Sequence, residues 1–421
     1  MTLFPELVAQ PRKERTTFRE NTNLPIHRWF KYSAGFSADW VSERLFRNKD
    51  FKVIGDPFAG SGTTLIASAL EGRSTVGFES HPFVYRIAKA KTNSLLTDSN
   101  SFSDLAHDFL LGSKDAKPST QVYENELMRR IFDDENLLAL SKIRSAVDQL
   151  GSSPNETIVW LAVVSMLRSA SHAGTANWQY VLPNKSKYNV KSAHEALKLK
   201  LEIFKNDIAS IQNREMGQAT ILNLDSREEA SADGLECDAL LTSPPYANNF
   251  DYADATRIEM TFLGEVSRWG DLQGAVRENI VRSSTQHVSP YKRKAIELLD
   301  HPILHPISDE LTSIYHQLNL EKSSKAGKKD YDAMIAFYFY DMARCLATSR
   351  AMLKQDGKAY FVIGDSAPYG VHIPVERFLG QLALSLGFTS WRFVKERDRN
   401  TKWKNRKHDV PLKEGFLILR G

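Results

Sequence analysis

The sequence predicts an α/β fold: a parallel, doubly wound sheet interrupted by a mainly helical insertion and by a loop-rich one. Two stretches carry that expectation. Near the N-terminus the apolar run FKVIG (51–55) leads through a glycine-bearing loop into TLIASALEG, and STVGFE (74–79) leads into a segment opened by Pro82. Strand, loop, helix, strand and helix within about 45 residues is the rhythm of a βαβ unit. Far downstream the rhythm returns in ATILNLDS (219–226), CDALLTSPPY (237–246), KAYFVIGDS (358–366) and GFLILR (415–420).

Taken in order, residues 1–25 read as an irregular arm rich in charge, Thr and Asn. SADWVSERLF (37–46) has helical spacing with Ser37 as its N-cap. The first βαβ helix stops at Gly72, a residue free to take the left-handed conformation that ends helices. The second starts at Pro82, whose fixed φ suits a first turn, and runs to about Thr92. Residues 100–215 are largely helical, through ENELMRRIFDDENLLALSKIRSAVDQL, TIVWLAVVSMLRSASHA and VKSAHEALKLKLEIFKNDIASIQ. A polar, irregular stretch from 247 to 330 includes HPILHP and LEKSSKAGKKD. After it come a helix (331–353), a strand (358–366), a helix (374–386), a strand near 389–394 and a last strand (415–420).

Composition narrows the class. An apolar content of 42% is ample for a large core. The net charge of +4 is modest, so nucleic-acid binding would have to come from local patches. The two cysteines, Cys237 and Cys345, are far apart, which argues against a disulfide framework or a zinc site and for a reducing cytoplasm. No run reaches the 18 or so apolar residues that span a bilayer, and MTLFPELVAQPRKERTTF lacks a signal-peptide core, so no membrane association is expected.

Two motifs carry the chemistry. In Asp56-Pro57-Phe58-Ala59-Gly60-Ser61-Gly62-Thr63-Thr64 a strand ends in an acid, and two glycines lead into a helix whose N-terminus favours polar or negative ligand groups. No Gly-Lys-Ser/Thr follows, which disfavours a nucleoside-triphosphate loop. Glu79 ends the next strand about 20 residues later, where Rossmann-like folds hold ribose hydroxyls. By itself this leaves a dinucleotide enzyme open, and an ordinary tight turn as well. The second motif, Thr242-Ser243-Pro244-Pro245-Tyr246, is the more specific. Two prolines cannot continue a central strand, so the strand must stop at Ser243 and hand over to a rigid loop on the ligand edge of the sheet.

Together, DPFAGSGTT followed by GFE, and TSPPY, closely resemble motifs of the DNA amino-methyltransferases, which methylate cytosine N4 or adenine N6. The resemblance implies a Rossmann-like class I methyltransferase sheet, S-adenosylmethionine as cofactor and double-stranded DNA with a flipped target base as substrate. It implies that Asp56 and Phe58 to Gly62, with Thr63, cradle the methionine part, that Glu79 takes the ribose hydroxyls and that Asp225 meets the adenine amino group. HRWFKYSAGFS (27–37) is similar to the segment whose aromatics close over the cofactor, with Phe30, Tyr32 and Phe36 as candidates; core packing is the plainer reading of such residues. Ser243 Oγ and the Pro244 carbonyl would accept from the target amine, Pro245 would stiffen the loop, and Tyr246 would stack on the base. A prokaryotic cytoplasm, work at the nucleoid and a cognate restriction endonuclease follow from the same likeness. Carbon-5 methylation is disfavoured, because neither cysteine follows a proline and that chemistry needs a thiolate.

The likeness spans roughly 25–95, 219–265 and 335–421. It divides the chain into an arm with a cofactor-binding half (1–95), a helical insertion (96–218), the strands with the TSPPY loop (219–265), a loop-rich insertion (266–334) and the C-terminal half of the sheet (335–421). Seventeen residues separate Asp225 from Ser243, too few for a target-reading domain, so either insertion is a candidate for that task. NWQYVLPNKSKYNVK (177–191) would suit a DNA groove or a solvated loop. KERDRNTKWKNRKH (395–408) holds seven Lys/Arg against two acids between Lys395 and Lys407, and Lys402, Trp403, Lys404 and Arg406 are candidate phosphate contacts. Asp365, after the 358–364 run, is either a sheet-edge site residue or a turn acid. Ser before Pro-Pro goes mainly with cytosine N4 in this family, Asp or Asn with adenine N6; yet many Ser-Pro-Pro enzymes place catalysis first, and this chain does not. An RNA guanine-N2 methyltransferase is the alternative, although such enzymes usually carry an upstream RNA-binding domain and only 50 residues precede Phe51.

Overall fold

In the computed structural model, residues 18–32, 35–173, 187, 189–325, 327–399 and 410–421 are described. Seven strands form one sheet: β1 (Val53–Asp56), β2 (Ser74–Phe78), β3 (Ala219–Leu222), β4 (Cys237–Thr242), β5 (Leu353–Gly364), β6 (Ser390–Arg399) and β7 (Leu412–Arg420). Their order is β3-β2-β1-β4-β5-β7-β6. The first five run parallel, and β7 lies antiparallel to both β5 and β6. The chain reverses direction across the sheet at β1/β4, the switch point where open α/β sheets take their ligands.

Helices cover both faces because the strands are apolar on both. Along β5, Ala359, Phe361 and Ile363 enter one core while Tyr360 and Val362 enter the opposite one, the two-residue period of a strand buried on each side. Against the Tyr360/Val362 face pack α1 (Ala38–Arg47), through Trp40 and Val41, and α2 (Thr63–Leu70), through Ala67. Ser37 caps α1 by accepting from the Trp40 N–H.

After α3 (Pro82–Asn93) the helical insertion supplies α4 (Ser99–Asp115), α5 (Thr120–Glu124), α6 (Glu126–Ile131), α7 (Asp134–Val147), α8 (Pro154–Ala170) and α9 (Ala193–Ile211). Its core is continuous with that of the cofactor half: Phe83 and Ile87 of α3 share one cluster with Val159 and Phe204. The N-terminal aromatic segment docks onto it. Trp29 stacks on Phe204 at 4.1 Å, and buried Asp207 accepts from Ile26 N, Trp29 Nε1 and Arg28.

The remaining helices are α10 (Arg257–Leu263), α11 (Thr285–Val288), α12 (Ala295–Leu299), α13 (Ser308–Ser323), α14 (Tyr331–Met352) and α15 (Val375–Ser385). The stretch 266–334, expected to be loop-rich, is instead largely short helical turns. HPILHP is itself a 3₁₀ turn, and α13 sets Leu311, Ile314 and Leu318 in the core shared with α14. Two boundaries also move. The strand before Ser-Pro-Pro ends at Thr242, one residue early, and β6 runs to Arg399 because it pairs with β7 over nearly its whole length. Among the described residues, no helix is long and apolar enough to cross a membrane, and no His/Cys/Asp/Glu cluster could hold a metal ion.

Candidate active site

Parallel register brings the C-terminal ends of the central strands to one edge. Asp56 pairs with Gly77, Phe78 with Leu222, and Thr242 with Phe361, so the segments that follow all open together. They wall a cleft of about 760 Å³. From the expected site residues its lining takes Tyr32, Phe36, Phe58, Gly60, Thr63, Glu79, Asp225, Ser243 and Pro245. Tyr32 and Pro245, 213 positions apart in the chain, thus share one cavity.

Asp56 lies beneath the loop, fully buried. Its Oδ1 accepts from Phe58 N–H at 3.0 Å and from the Thr242 hydroxyl, which joins the glycine loop to the strand of the Ser-Pro-Pro motif. Among the described residues its Oδ2 has no hydrogen-bond partner, and neither does the buried Ser61 Oγ. Burial pushes Asp56 up to about 6, its hydrogen bonds only partly offsetting the desolvation. Gly60 turns with φ 54°, and a Cβ there would stand 3.3 Å from the Tyr32 ring, so the loop needs glycine both for its backbone and for its approach to Tyr32. Gly62 does not line the cleft. It takes φ 86° before α2 and faces Ala88 of α3 instead.

Glu79 is pushed up to about 7, chiefly by burial, while the backbone N–H of His81, 2.8 Å from Oε1, favours its charged form. Asp225 is held by Arg227 on both carboxylate oxygens, and Arg227 reaches on to Asp341 of α14 at 3.6 Å. Tyr32 and Phe36 are buried cleft walls. Phe30 is corrected: it packs edge-on against Phe83, 6.1 Å away, and belongs to the helical core.

The Ser-Pro-Pro-Tyr loop is pinned from two sides. Tyr338 of α14 donates to the Pro245 carbonyl at 3.0 Å, and the Tyr246 N–H donates to the Tyr252 hydroxyl at 3.4 Å. Pro244 and Tyr246 flank the cleft without lining it. The Arg399 guanidinium sits over the Tyr246 ring, 5.2 Å from its centroid, while donating to the Asp365 carbonyl. Gly364 leaves the room for both, since a Cβ would stand 2.8 Å from Arg399 Nη1 and 3.3 Å from Tyr246 Cε2. Asp365 is buried and pairs with His372 at 3.2 Å, away from the cleft walls. Lys402, Trp403, Lys404 and Arg406 lie outside the described residues, as does most of 177–191.

Sequence reasoning missed His81, Ser226, Tyr252, Ile280 and Val281, all cleft walls. An aromatic soon after Pro-Pro-Tyr was a readable signal for Tyr252. Ile280 and Val281 come from the second insertion, and no local pattern announces that they fold back to the sheet edge.

Residues 46–90, from the end of α1 through most of α3, match the family described as DNA methylase of the N6/N4 type. Over that segment, and across the relatives below, the chain is similar to the DNA amino-methyltransferases. Similar over most of its length are the Type II methyltransferase M.AvaI of Nostoc sp., 24% identical across 88% of this chain and 81% of that protein, and M.BsoBI of Geobacillus stearothermophilus, 22% identical across 96% and 87%. M.MvaI of Kocuria varians is 19% identical across 86% of this chain and 82% of its own length. No solved structure matches significantly. In the terms of that family the residues present suit S-adenosylmethionine. An unpartnered buried carboxylate oxygen on Asp56 suits an ammonium, the Glu79 carboxylate suits two hydroxyls, and Gly60 lines the same cleft as Glu79.

Proposed function

We propose that this protein transfers a methyl group from S-adenosylmethionine to an exocyclic amino group of a flipped base in duplex DNA, with cytosine N4 as the acceptor. The observation that carries the reading is the single cleft walled both by Gly60, Glu79 and Asp225 and by Ser243 and Pro245. When bound, S-adenosylmethionine supplies a methyl group on a positively charged sulfur. Asp56 and the 58–62 loop would hold its methionine end, Glu79 its ribose and Asp225 its adenine amine.

Ser243 Oγ and the Pro244 carbonyl would accept from the two amino hydrogens, drawing the nitrogen lone pair out of conjugation with the ring. The freed lone pair would be placed to take the methyl group, whose bonding pair would stay with the sulfur. One amine proton leaves through Ser243 to water. Arg399 covers one side of the Tyr246 ring, and the opposite side is the one we assign to the base. The hydroxyl at 243, in place of a carboxylate or amide, supports cytosine over adenine. A bacterial cytoplasm suits this activity, and the Type II names of the relatives support a cognate restriction endonuclease as partner.

Methylating DNA with the purified protein, digesting it to nucleosides and weighing them by mass spectrometry tests the reading. N4-methylcytosine is expected. N6-methyladenosine alone would move the acceptor to adenine, and no methylated nucleoside would overturn the DNA reading. Tyr246→Ala should abolish transfer yet bind S-adenosylmethionine normally in calorimetry; equal loss of both would remove Tyr246 from the base site.

A further inference from the structure

We propose that Tyr252 reads the target base by donating its hydroxyl proton to the ring nitrogen beside the amino group, N3 of cytosine or N1 of adenine. The inference rests on the DNA amino-methyltransferase reading and deepens it. Tyr252 forms part of the cleft wall together with Ser243 and Pro245. Its oxygen accepts the Tyr246 N–H at 3.4 Å, so the hydroxyl is tied to the loop that holds the target. That bond uses a lone pair and leaves the proton, which has no acceptor among the described residues. A tyrosine hydroxyl both accepts and donates, and a proton without an acceptor at a cleft wall is poised for a ligand. Burial raises Tyr252 to about 12, so the proton stays in place at neutral pH.

The ring is firmly set. It stands edge-to-face on Phe250, with centroids 4.7 Å apart. The next residue, Asp251, is buried between Arg277 at 2.7 Å and His287 at 3.2 Å. The chemistry of the partner follows from the neighbours. On the proposed reading Ser243 Oγ and the Pro244 carbonyl accept from the amine, and Tyr252, in the same lining as Ser243, adds a donor. A donor next to acceptors complements the amine and adjacent ring nitrogen of cytosine or adenine. Carbonyl-bearing guanine and thymine present the opposite pattern at that edge, so the hydroxyl would reject them.

The test pairs Tyr252→Phe with DNA in which the target ring nitrogen is replaced by C–H, 3-deazacytosine or 1-deazaadenine according to the product base. On ordinary DNA, Tyr252→Phe should lower kcat/KM about tenfold, as expected for one lost hydrogen bond that leaves a polar partner unmet. On the deaza substrate the wild-type protein and Tyr252→Phe should react at the same rate, while cofactor affinity and melting temperature stay unchanged. Equal loss on both substrates would mean that the hydroxyl only supports the Tyr246 backbone, and would overturn the inference. So would wild-type activity in Tyr252→Phe, or a loss confined to cofactor binding. If the wild-type protein methylates no DNA, the failure lies with the proposed function and the inference falls with it.

Discussion

A buried carboxylate, Asp56, and a half-buried one, Glu79, stand at the glycine-loop end of the cleft, and each holds its proton longer than it would in water. Burial takes Glu79 to about 7 and Asp56 to about 6. Ribose hydroxyls on Glu79 and an ammonium beside Asp56 would both favour the charged forms, so binding should release protons. Affinity for S-adenosylmethionine should therefore rise from about pH 5.5 to about 8, with most of the change near neutrality. The effect on the ligand-free fold has the opposite sign. Glu79 has a folded value above its ordinary 4.5, so the folded chain binds more protons than the unfolded one between that value and about 7. Glu79 thus costs stability as pH rises through this window. Glu79→Gln should weaken cofactor binding about tenfold at pH 8, flatten its pH dependence and raise the melting temperature of the free protein. Calorimetry and thermal melts across pH check all three, and an unaltered affinity would take Glu79 out of the site. His81 could not have been read from sequence in the same way. Burial holds it near 3, and its ring bonds to Thr256 at 3.1 Å, a partner 175 residues away.

At the scale of elements, the strands were legible because apolar runs bounded by glycine and proline leave little choice. FKVIG, STVGFE and CDALLT fall within a residue or two of β1, β2 and β4. The second insertion was not, because α11 and α12 have only four and five residues and show no period, and α13 carries its apolar residues among many polar ones. What fixes the insertion is tertiary. Arg277, just before the cleft residues Ile280 and Val281, pairs with Asp251 in the segment after the Ser-Pro-Pro-Tyr loop, and His287 of α11 closes the same carboxylate from another side. Burial alone would raise Asp251, but the hydrogen bonds and charges of His287 and Arg277 outweigh it and hold the group at about 2. Arg277→Leu strands a buried charge and should cost about 3–5 kcal/mol in chemical denaturation near neutral pH. The folded value of Asp251 is depressed, so its contribution is present above the ordinary 3.8 and is lost as pH falls toward about 2. A cost below about 1 kcal/mol, typical of surface pairs, would mean that the insertion is held to the catalytic segment by its apolar contacts alone.

Over the whole molecule, the sheet order decides where DNA can approach. β7 pairs Glu414 with Gly364 at the C-terminal end of β5, and β6 pairs Arg399 with Leu412, so β6 ends and β7 begins at the same edge as the cleft. The strand end already bears a cation there, with Arg399 over Tyr246. The β6–β7 connection carries the densest basic run in the chain, including Lys402, Lys404 and Arg406, while the protein as a whole has a net charge of only +4. A backbone-binding segment at the site edge would hold the duplex over the cleft without reading its sequence. Each phosphate neutralised releases about 0.9 of a counterion, so three such contacts would contribute about two to three units to the slope of log K against log salt. Replacing Lys402, Lys404 and Arg406 with Ala should reduce the slope by that amount and weaken binding equally for all sequences, leaving cofactor affinity and the identity of the methylated base unchanged. DNA-binding titrations at several salt concentrations, on specific and unrelated duplexes, measure both effects. An unaltered slope would show that the run faces solvent, and a loss restricted to one duplex would make it a reader of sequence rather than a grip on the backbone.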